Sequence, residues 1–212
     1  MNENTGFAVG DTGVILKSIN AGVNWIQLIS GTTSNLNDTR FLNTFTGYAI
    51  GKSGKILKTT NGGLNWFDQV SGTTNSLNSI FLIDANTGLI AADVRTLRTT
   101  NGGINWINQT NSRGADIFFT DALTGYGVAG SGLIIKTTNG GTNWFNLLNA
   151  GLYPNLNSVF FLNSENGVVA GNEGILLKTS NGGLNWNQIL IPSDNKFNSV
   201  FFVNEKIRVY CN

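Results

Sequence analysis

Thr59-Thr60-Asn61-Gly62-Gly63-Leu64-Asn65-Trp66 is the stretch whose reading decides the fold. Near copies run from Ser18 to Trp25, Thr99 to Trp106, Thr137 to Trp144 and Thr179 to Trp186, and the five copies use all five tryptophans of the chain. Successive tryptophans stand 38 to 42 residues apart. Recurrence at a fixed period of this size marks an array of like units, each too small to bury its own apolar surface.

Outward from each box the flanking sequence repeats as well. Ahead of it lie Lys55–Thr59, then Thr46–Gly51, then a run of the type Leu77-Asn78-Ser79-Ile80-Phe81-Leu82-Ile83. Behind it a further run starts at Asn65-Trp66. Aliphatic and aromatic residues, many of them β-branched, fill these runs, and Gly, Asn, Asp or Ser separates them, so each unit predicts four short strands. No window keeps an apolar period of 3.6, so essentially no helix is expected. Four-stranded units at this period predict an all-β fold, a β-propeller, in which each sheet buries its faces against its neighbours. A β-solenoid repeats at a shorter period, and a β-sandwich seldom repeats residue by residue.

The units span about 36–70, 77–110, 115–148 and 156–190, with 5–29 as the first. That first unit opens on a second strand, Thr5–Gly10, with no first strand ahead of it. A first-strand sequence, Phe197–Val203, stands at the other end. The expectation is one domain of five blades over residues 1–212, closed by 197–203 entering the blade of 5–29. Residues 204–212 then remain as a surplus strand, a hint that the array belongs to something longer.

The box reads as a self-contained turn. Asn-Gly tolerates positive φ. The side chains of Asn20, Asn61, Asn101, Asn139 and Asn181 are placed to accept a backbone N–H two residues on, and the preceding hydroxyl adds a second bond. Gly22, Gly63, Gly103, Gly141 and Gly183 give freedom to the turn. Trp25, Trp66, Trp106, Trp144 and Trp186 anchor it, each with an indole N–H to satisfy nearby. Calcium binding is the alternative, but the box side chains are neutral amides and hydroxyls, and no unit brings two carboxylates together. The box is therefore taken as structural.

On these residues the chain resembles the Asp box, or bacterial neuraminidase repeat, with Asn at the usual Asp and Thr positions. The longer unit Thr46-Gly47-Tyr48-Ala49-Ile50-Gly51 through Lys58-Thr59-Thr60-Asn61-Gly62-Gly63 looks more specifically like the photosystem II stability/assembly factor repeat. The resemblance covers nearly the whole chain. It implies a propeller and a non-catalytic scaffold that holds a polypeptide. Because such repeats also occur in many secreted bacterial proteins, it implies export to the periplasm or cell exterior. A structural module of a larger secreted or surface protein, or a carbohydrate-binding relative of sialidases without catalytic residues, stays open as the alternative.

Composition narrows the functions further. A net charge of +1 leaves no field to recruit nucleic acid. No run of eighteen apolar residues offers a membrane-spanning helix. Met1 to Gly6 is not a signal peptide. Cys211 is the only cysteine, so no disulfide forms within the chain. Histidine is absent, which removes the commonest general base and metal ligand. No nucleophile elbow or phosphate loop occurs, and no catalytic residue, cofactor or metal is expected.

Of the five arginines, Arg40, Arg95, Arg98, Arg113 and Arg208, Arg40 stands out, because the other units carry Phe81, Phe118, Phe160 and Phe201 at its position. An ion pair with Asp38 is expected for it. Two strand-one columns are the leading candidate binding surface. One is Asn37, Asn78, Asn157 and Asn198, with Ala115 in the remaining unit; the other is Asp38, Ser79, Asp116, Ser158 and Ser199. They predict a polar ring at a channel mouth suited to peptide backbone or glycan, or else to bonds between blades. The turns between strands two and three, at Asp11-Thr12, Lys52-Ser53, Asp93-Val94 and Asn172-Glu173, vary most and form the second candidate surface.

Overall fold

The computed structural model describes residues 3–109, 112–148, 151, 153–192, 194–202 and 207–211, the last five by their backbone alone. Every sheet is antiparallel, with its strands in chain order. Sheet one holds β1 (Gly6–Val9), β2 (Ile15–Ser18) and β3 (Ile26–Leu28). Sheet two holds β4 (Leu36–Phe41), β5 (Gly47–Gly51), β6 (Ile56–Thr59) and β7 (Phe67–Gln69). Sheet three holds β8 (Leu77–Leu82), β9 (Gly88–Ala92), β10 (Leu97–Thr99) and β11 (Ile107–Asn108). Sheet four holds β12 (Asp116–Phe119), β13 (Gly125–Val128), β14 (Ile134–Thr137) and β15 (Phe145–Leu148). Sheet five holds β16 (Leu156–Phe161), β17 (Gly167–Gly171), β18 (Leu176–Thr179) and β19 (Asn187–Gln188). A last pair joins β20 (Phe197–Phe202) to β21 (Ile207–Cys211). The helices among the described residues are single 3₁₀ turns at Asp11–Gly13, Lys52–Gly54 and Gly130–Gly132, each between a second and a third strand.

The chain forms two compact units, Met1–Asp93 with Leu97–Asn108, and Val94–Thr96 with Gln109–Asn212. In the first unit the period-2 alternation of strands sends neighbouring side chains into different cores. Ala49 and Leu57 of sheet two join Ile15 of sheet one, together with Leu36 and Trp66. Tyr48, Ile50 and Ile56 turn the other way, onto Leu77, Ile80, Ile90, Leu97 and Trp106 of sheet three. Both faces of sheet two are thus covered, which is why every residue of β5 is buried.

The second unit repeats the scheme. Val169 and Leu177 of sheet five face Tyr126, Val128 and Ile134 of sheet four. Val168, Ala170 and Leu176 face Phe197, Val200 and Phe202 of β20.

The expected strand exchange between the two ends is not the pairing the structure contains. β20 pairs with β21, from Phe197 opposite Cys211 to Phe202 opposite Ile207, and sheet one has three strands among the described residues. The reason is local. A hairpin partner a few residues downstream costs far less loop-closure entropy than one at the other end of the chain. Residues 207–211 of the expected surplus strand are therefore a second strand for β20, whereas Val203, 204–206 and Asn212 lie outside the described residues.

Candidate functional site

The boxes fold through their own side chains. In the box of sheet two, the Thr59 hydroxyl donates to Asn61 Oδ1 at 3.0 Å and accepts the N–H groups of Asn61 at 3.3 Å and Gly63 at 2.9 Å. Asn61 Oδ1 also accepts the N–H of Asn65 at 3.0 Å. The boxes built on Asn20, Asn101, Asn139 and Asn181 repeat these bonds. The Asn side chain thus reaches four residues on rather than two. Positive φ falls on the residue pair after the Asn, at Gly62 (69°) and Gly63 (85°), and in the first box at Ala21 (55°) and Gly22 (85°).

The indoles differ. Trp25 Nε1 donates to the Gly22 carbonyl at 3.0 Å. The indole N–H groups of Trp66, Trp106, Trp144 and Trp186 are buried without an acceptor among the described residues. Each of these rings instead packs on carbon. Trp66 meets Phe41 edge-on at 5.9 Å between centroids, and Trp106 meets Tyr48 at 6.1 Å.

A second device, not foreseen from the sequence, clamps the boxes of sheets two, three and five to the sheet before each. Lys58 Nζ of β6 donates to the Gly102 carbonyl at 2.6 Å, and the Tyr48 hydroxyl of β5 donates to the same oxygen at 2.7 Å. Lys136 and Tyr126 hold the Gly182 carbonyl at 2.9 Å each, and Lys17 holds Gly62 at 2.8 Å beside Phe7. Each ammonium lies 5.0 to 5.5 Å from the centroid of its partner ring. Burial lowers the pKa of Lys58 and raises that of Tyr48 to about 12. The space at the second glycine is tight as well. A Cβ on Gly103 would stand 3.0 Å from Tyr48, and one on Gly63 would stand 2.9 Å from Leu28. The signal for this clamp is the cation that precedes every box hydroxyl: Lys17, Lys58, Arg98, Lys136 and Lys178.

The strand-one columns are used in part between sheets. The register slips at Asn37, Asn78, Asn157 and Asn198, so these residues are β-bulges. The bulge aims the Asn37 amide at the Leu77 carbonyl (2.8 Å) and the Asn157 amide at that of Phe197 (2.7 Å). Asn78 donates to Asp93 Oδ1 at 2.9 Å.

In the neighbouring column, Asp38 Oδ2 accepts the N–H of Ile80 at 2.8 Å. Asp116 Oδ2 accepts the N–H of Val159 and the Ser158 hydroxyl, at 3.0 and 3.1 Å. Ser158 Oγ in turn accepts the N–H of Val200 at 3.3 Å. Ser79 is half-buried, whereas Asn198 and Ser199 are exposed. Arg40 lies with its guanidinium carbon 5.4 Å from the centroid of the Phe81 ring, where sequence reasoning expected only its pairing with Asp38. Bonds between sheets thus use one polar atom each of Asn37, Asp38, Asp116, Asn157 and Ser158.

The turns between strands two and three open onto two grooves at equivalent places in sheets one and two. One, of about 780 Å³, is lined by Thr12, Gly13 and Gln27 to Thr33. The other, of about 680 Å³, is lined by Ser53, Gly54, Lys55 and Asp68 to Thr74. Each contains the same Ser-Gly-Thr-Thr turn, Ser30–Thr33 and Ser71–Thr74. An aliphatic residue stands out to solvent in each, Ile29 at 88% and Val70 at 81% exposure. The segment between them is braced at both ends, because Asn35 accepts the N–H of Thr12 through its side chain and that of Lys52 through its carbonyl. Lys55 and Asp68 form an ion pair at 2.8 Å on the wall of the second groove. No helix of the described residues is long and apolar enough to cross a membrane.

Among solved structures the chain is similar to YCF48 from Cyanidioschyzon merolae, at 18% identity and a TM-score of 0.75, covering 97% of this chain and 74% of that one. It is also similar to a structure of YCF48 bound to D1 peptide, at 18% identity and a TM-score of 0.53, over 95% of this chain and 84% of the other. An ancestral GH74 enzyme matches at 19% identity and a TM-score of 0.75, over 95% of this chain but 32% of its own. At these identities the likeness is one of fold, a β-propeller. No curated protein matches the chain. Residues 107–198 match the family model of the photosynthesis system II assembly factor YCF48. The resemblance carried by the boxes is thus met by a family model over residues 107–198, less than half of the chain, where the sequence is similar to the photosynthesis system II assembly factor YCF48.

Proposed function

We propose that this chain is a non-catalytic scaffold that holds a polypeptide partner along the paired grooves of sheets one and two. The observation that carries the reading is the repetition of the groove. Two consecutive sheets offer the same turn, with hydroxyls and backbone groups beside an exposed aliphatic side chain, Ile29 or Val70. Groups of this kind suit an extended peptide, whose backbone seeks hydrogen bonds while alternate side chains seek apolar contact. The strand-one columns offer less, since most of their amides and carboxylates already hold the next sheet. A solved structure of similar fold is one of YCF48 bound to D1 peptide, which supports a peptide as the class of ligand.

The test is capture from a native lysate by the immobilised chain, run beside the double variant Ile29→Asp/Val70→Asp. The expected result is one or more proteins retained by the wild type and lost from the variant, with unchanged circular dichroism. Equal retention by both would reject the grooves as the binding surface. Export is part of the same reading, and recovery of the chain in the cytoplasmic fraction alone would contradict it.

A further inference from the structure

The two grooves share their turns but not their charges. Between strands two and three, sheet one carries Asp11-Thr12 where sheet two carries Lys52-Ser53. Thr12 and Ser53 line the grooves, so their neighbours Asp11 and Lys52 stand at the two lips. One residue fixes both turns. Asn35 Oδ1 accepts the N–H of Thr12 at 3.0 Å, and the Asn35 carbonyl accepts that of Lys52 at 2.9 Å. An acid and a base are thereby held on neighbouring turns of one compact unit.

Both side chains face solvent, and neither forms an ion pair or a side-chain hydrogen bond among the described residues. The walls behind them are neutral. The lining of the first groove, Thr12, Gly13 and Gln27 to Thr33, contains no charged residue. In the second groove Lys55 is held by Asp68 at 2.8 Å, at positions where sheet one has Val14 and Gln27. Each groove thus presents one unpaired charge at its lip, negative in sheet one and positive in sheet two. Charges at the edge of a binding surface act on register and on the rate of encounter, and like charges brought together there disfavour the wrong partner.

Resting on the groove reading above, we propose that the polypeptide held there is an extended segment with a basic residue at the Asp11 lip and an acidic residue at the Lys52 lip, its apolar side chains lying against Ile29 and Val70. Neighbouring sheets stack about 10 Å apart, and an extended chain advances about 3.3 Å per residue, so the two charged residues of the ligand stand about three to five residues apart.

Selection of a displayed library of random linear peptides on the full chain tests it. The tightest peptide is then measured by fluorescence polarisation against wild type, Ile29→Asp/Val70→Asp, the charge exchange Asp11→Lys/Lys52→Asp and the neutral pair Asp11→Asn/Lys52→Gln. All four positions are exposed, so the melting temperatures are expected to match that of wild type. The selected peptides should carry Lys or Arg and Asp or Glu at a fixed spacing. Binding should weaken about tenfold on the charge exchange and recover when the basic and acidic residues of the peptide are exchanged as well. The neutral pair should bind both peptides alike, and the preference of the wild type should fade as salt rises. A peptide that is lost with Ile29→Asp/Val70→Asp but binds the charge exchange as tightly as the wild type overturns the charge assignment and leaves the grooves in place. Peptides that ignore Ile29→Asp/Val70→Asp, or a library that yields no binder, overturn the groove reading and the charge assignment with it.

Discussion

Ala21 sits at φ 55° in a turn where the other four boxes place glycine. A side chain in the left-handed region costs about 1–2 kcal/mol, partly offset by the greater freedom glycine has in the unfolded chain. Ala21→Gly is therefore expected to stabilise the fold by about 0.5–1 kcal/mol in urea unfolding. The reverse change at Gly103 meets both a φ of 83° and Tyr48 at 3.0 Å, and Gly103→Ala should destabilise by about 1–3 kcal/mol.

Two acidic turn residues predict a pH effect. The backbone N–H of Asn86, then that of Thr87, holds the Asp84 carboxyl below its usual pKa, and Thr124, then Leu123, does the same for Asp121. A depressed pKa means that the stabilisation is complete above the ordinary carboxylate value and is lost as pH falls through the depressed one. Melting curves taken below about pH 4 should thus fall less steeply for Asp84→Asn/Asp121→Asn than for wild type. The turns survive the change, because Asn43 and Asn163 make the same bonds in sheets two and five.

The elements are joined by the boxes and clamps, and here the energies should be larger. Asn61→Ala removes the acceptor for both the Thr59 hydroxyl and the Asn65 N–H, and a loss of about 1–3 kcal/mol is expected. Lys58→Met leaves the buried Gly102 carbonyl with the Tyr48 hydroxyl alone, and Tyr48→Phe leaves it with Lys58. Each should cost about 1 kcal/mol, and the double variant should cost more than the sum, because it orphans the acceptor. Phe7 beside Lys17 is a natural instance of the single loss. Tyr48 also gives a spectroscopic signature. Its phenolate absorbance should rise only near pH 12 and vanish in Tyr48→Phe. Because its pKa is raised, the stability tied to its protonated form is complete below about pH 10 and is lost as pH rises through about 12.

At the scale of the molecule, the strands and their order were legible because period-2 burial and box spacing are written directly in the chain. The columns of Asn37 and Asp38 were legible as polar and inward, with bonds between blades as one of their two readings, but the geometry that makes those bonds was not legible. A β-bulge leaves no mark in sequence beyond the asparagine itself, and the bulge is what turns that amide toward the next sheet. The clamp was legible in principle, as the cation before each box, but a lysine in a strand reads as a solvated residue until the carbonyl it faces is known. The partner of β20 was misread for a different reason. Equivalence between repeats says which strand type a segment is, but not which of two matching edges it joins.

The grooves depend on backbone turns rather than on chemically distinctive side chains, so their place in the function is decided by contact. A photo-crosslinking amino acid placed singly at Ile29, Val70 and Asn198, in the chain incubated with native lysate, gives that contact directly. The account predicts polypeptide adducts from positions 29 and 70 and none from position 198. Adducts from position 198 with none from 29 or 70 would contradict it, and would return the binding surface to the strand-one columns.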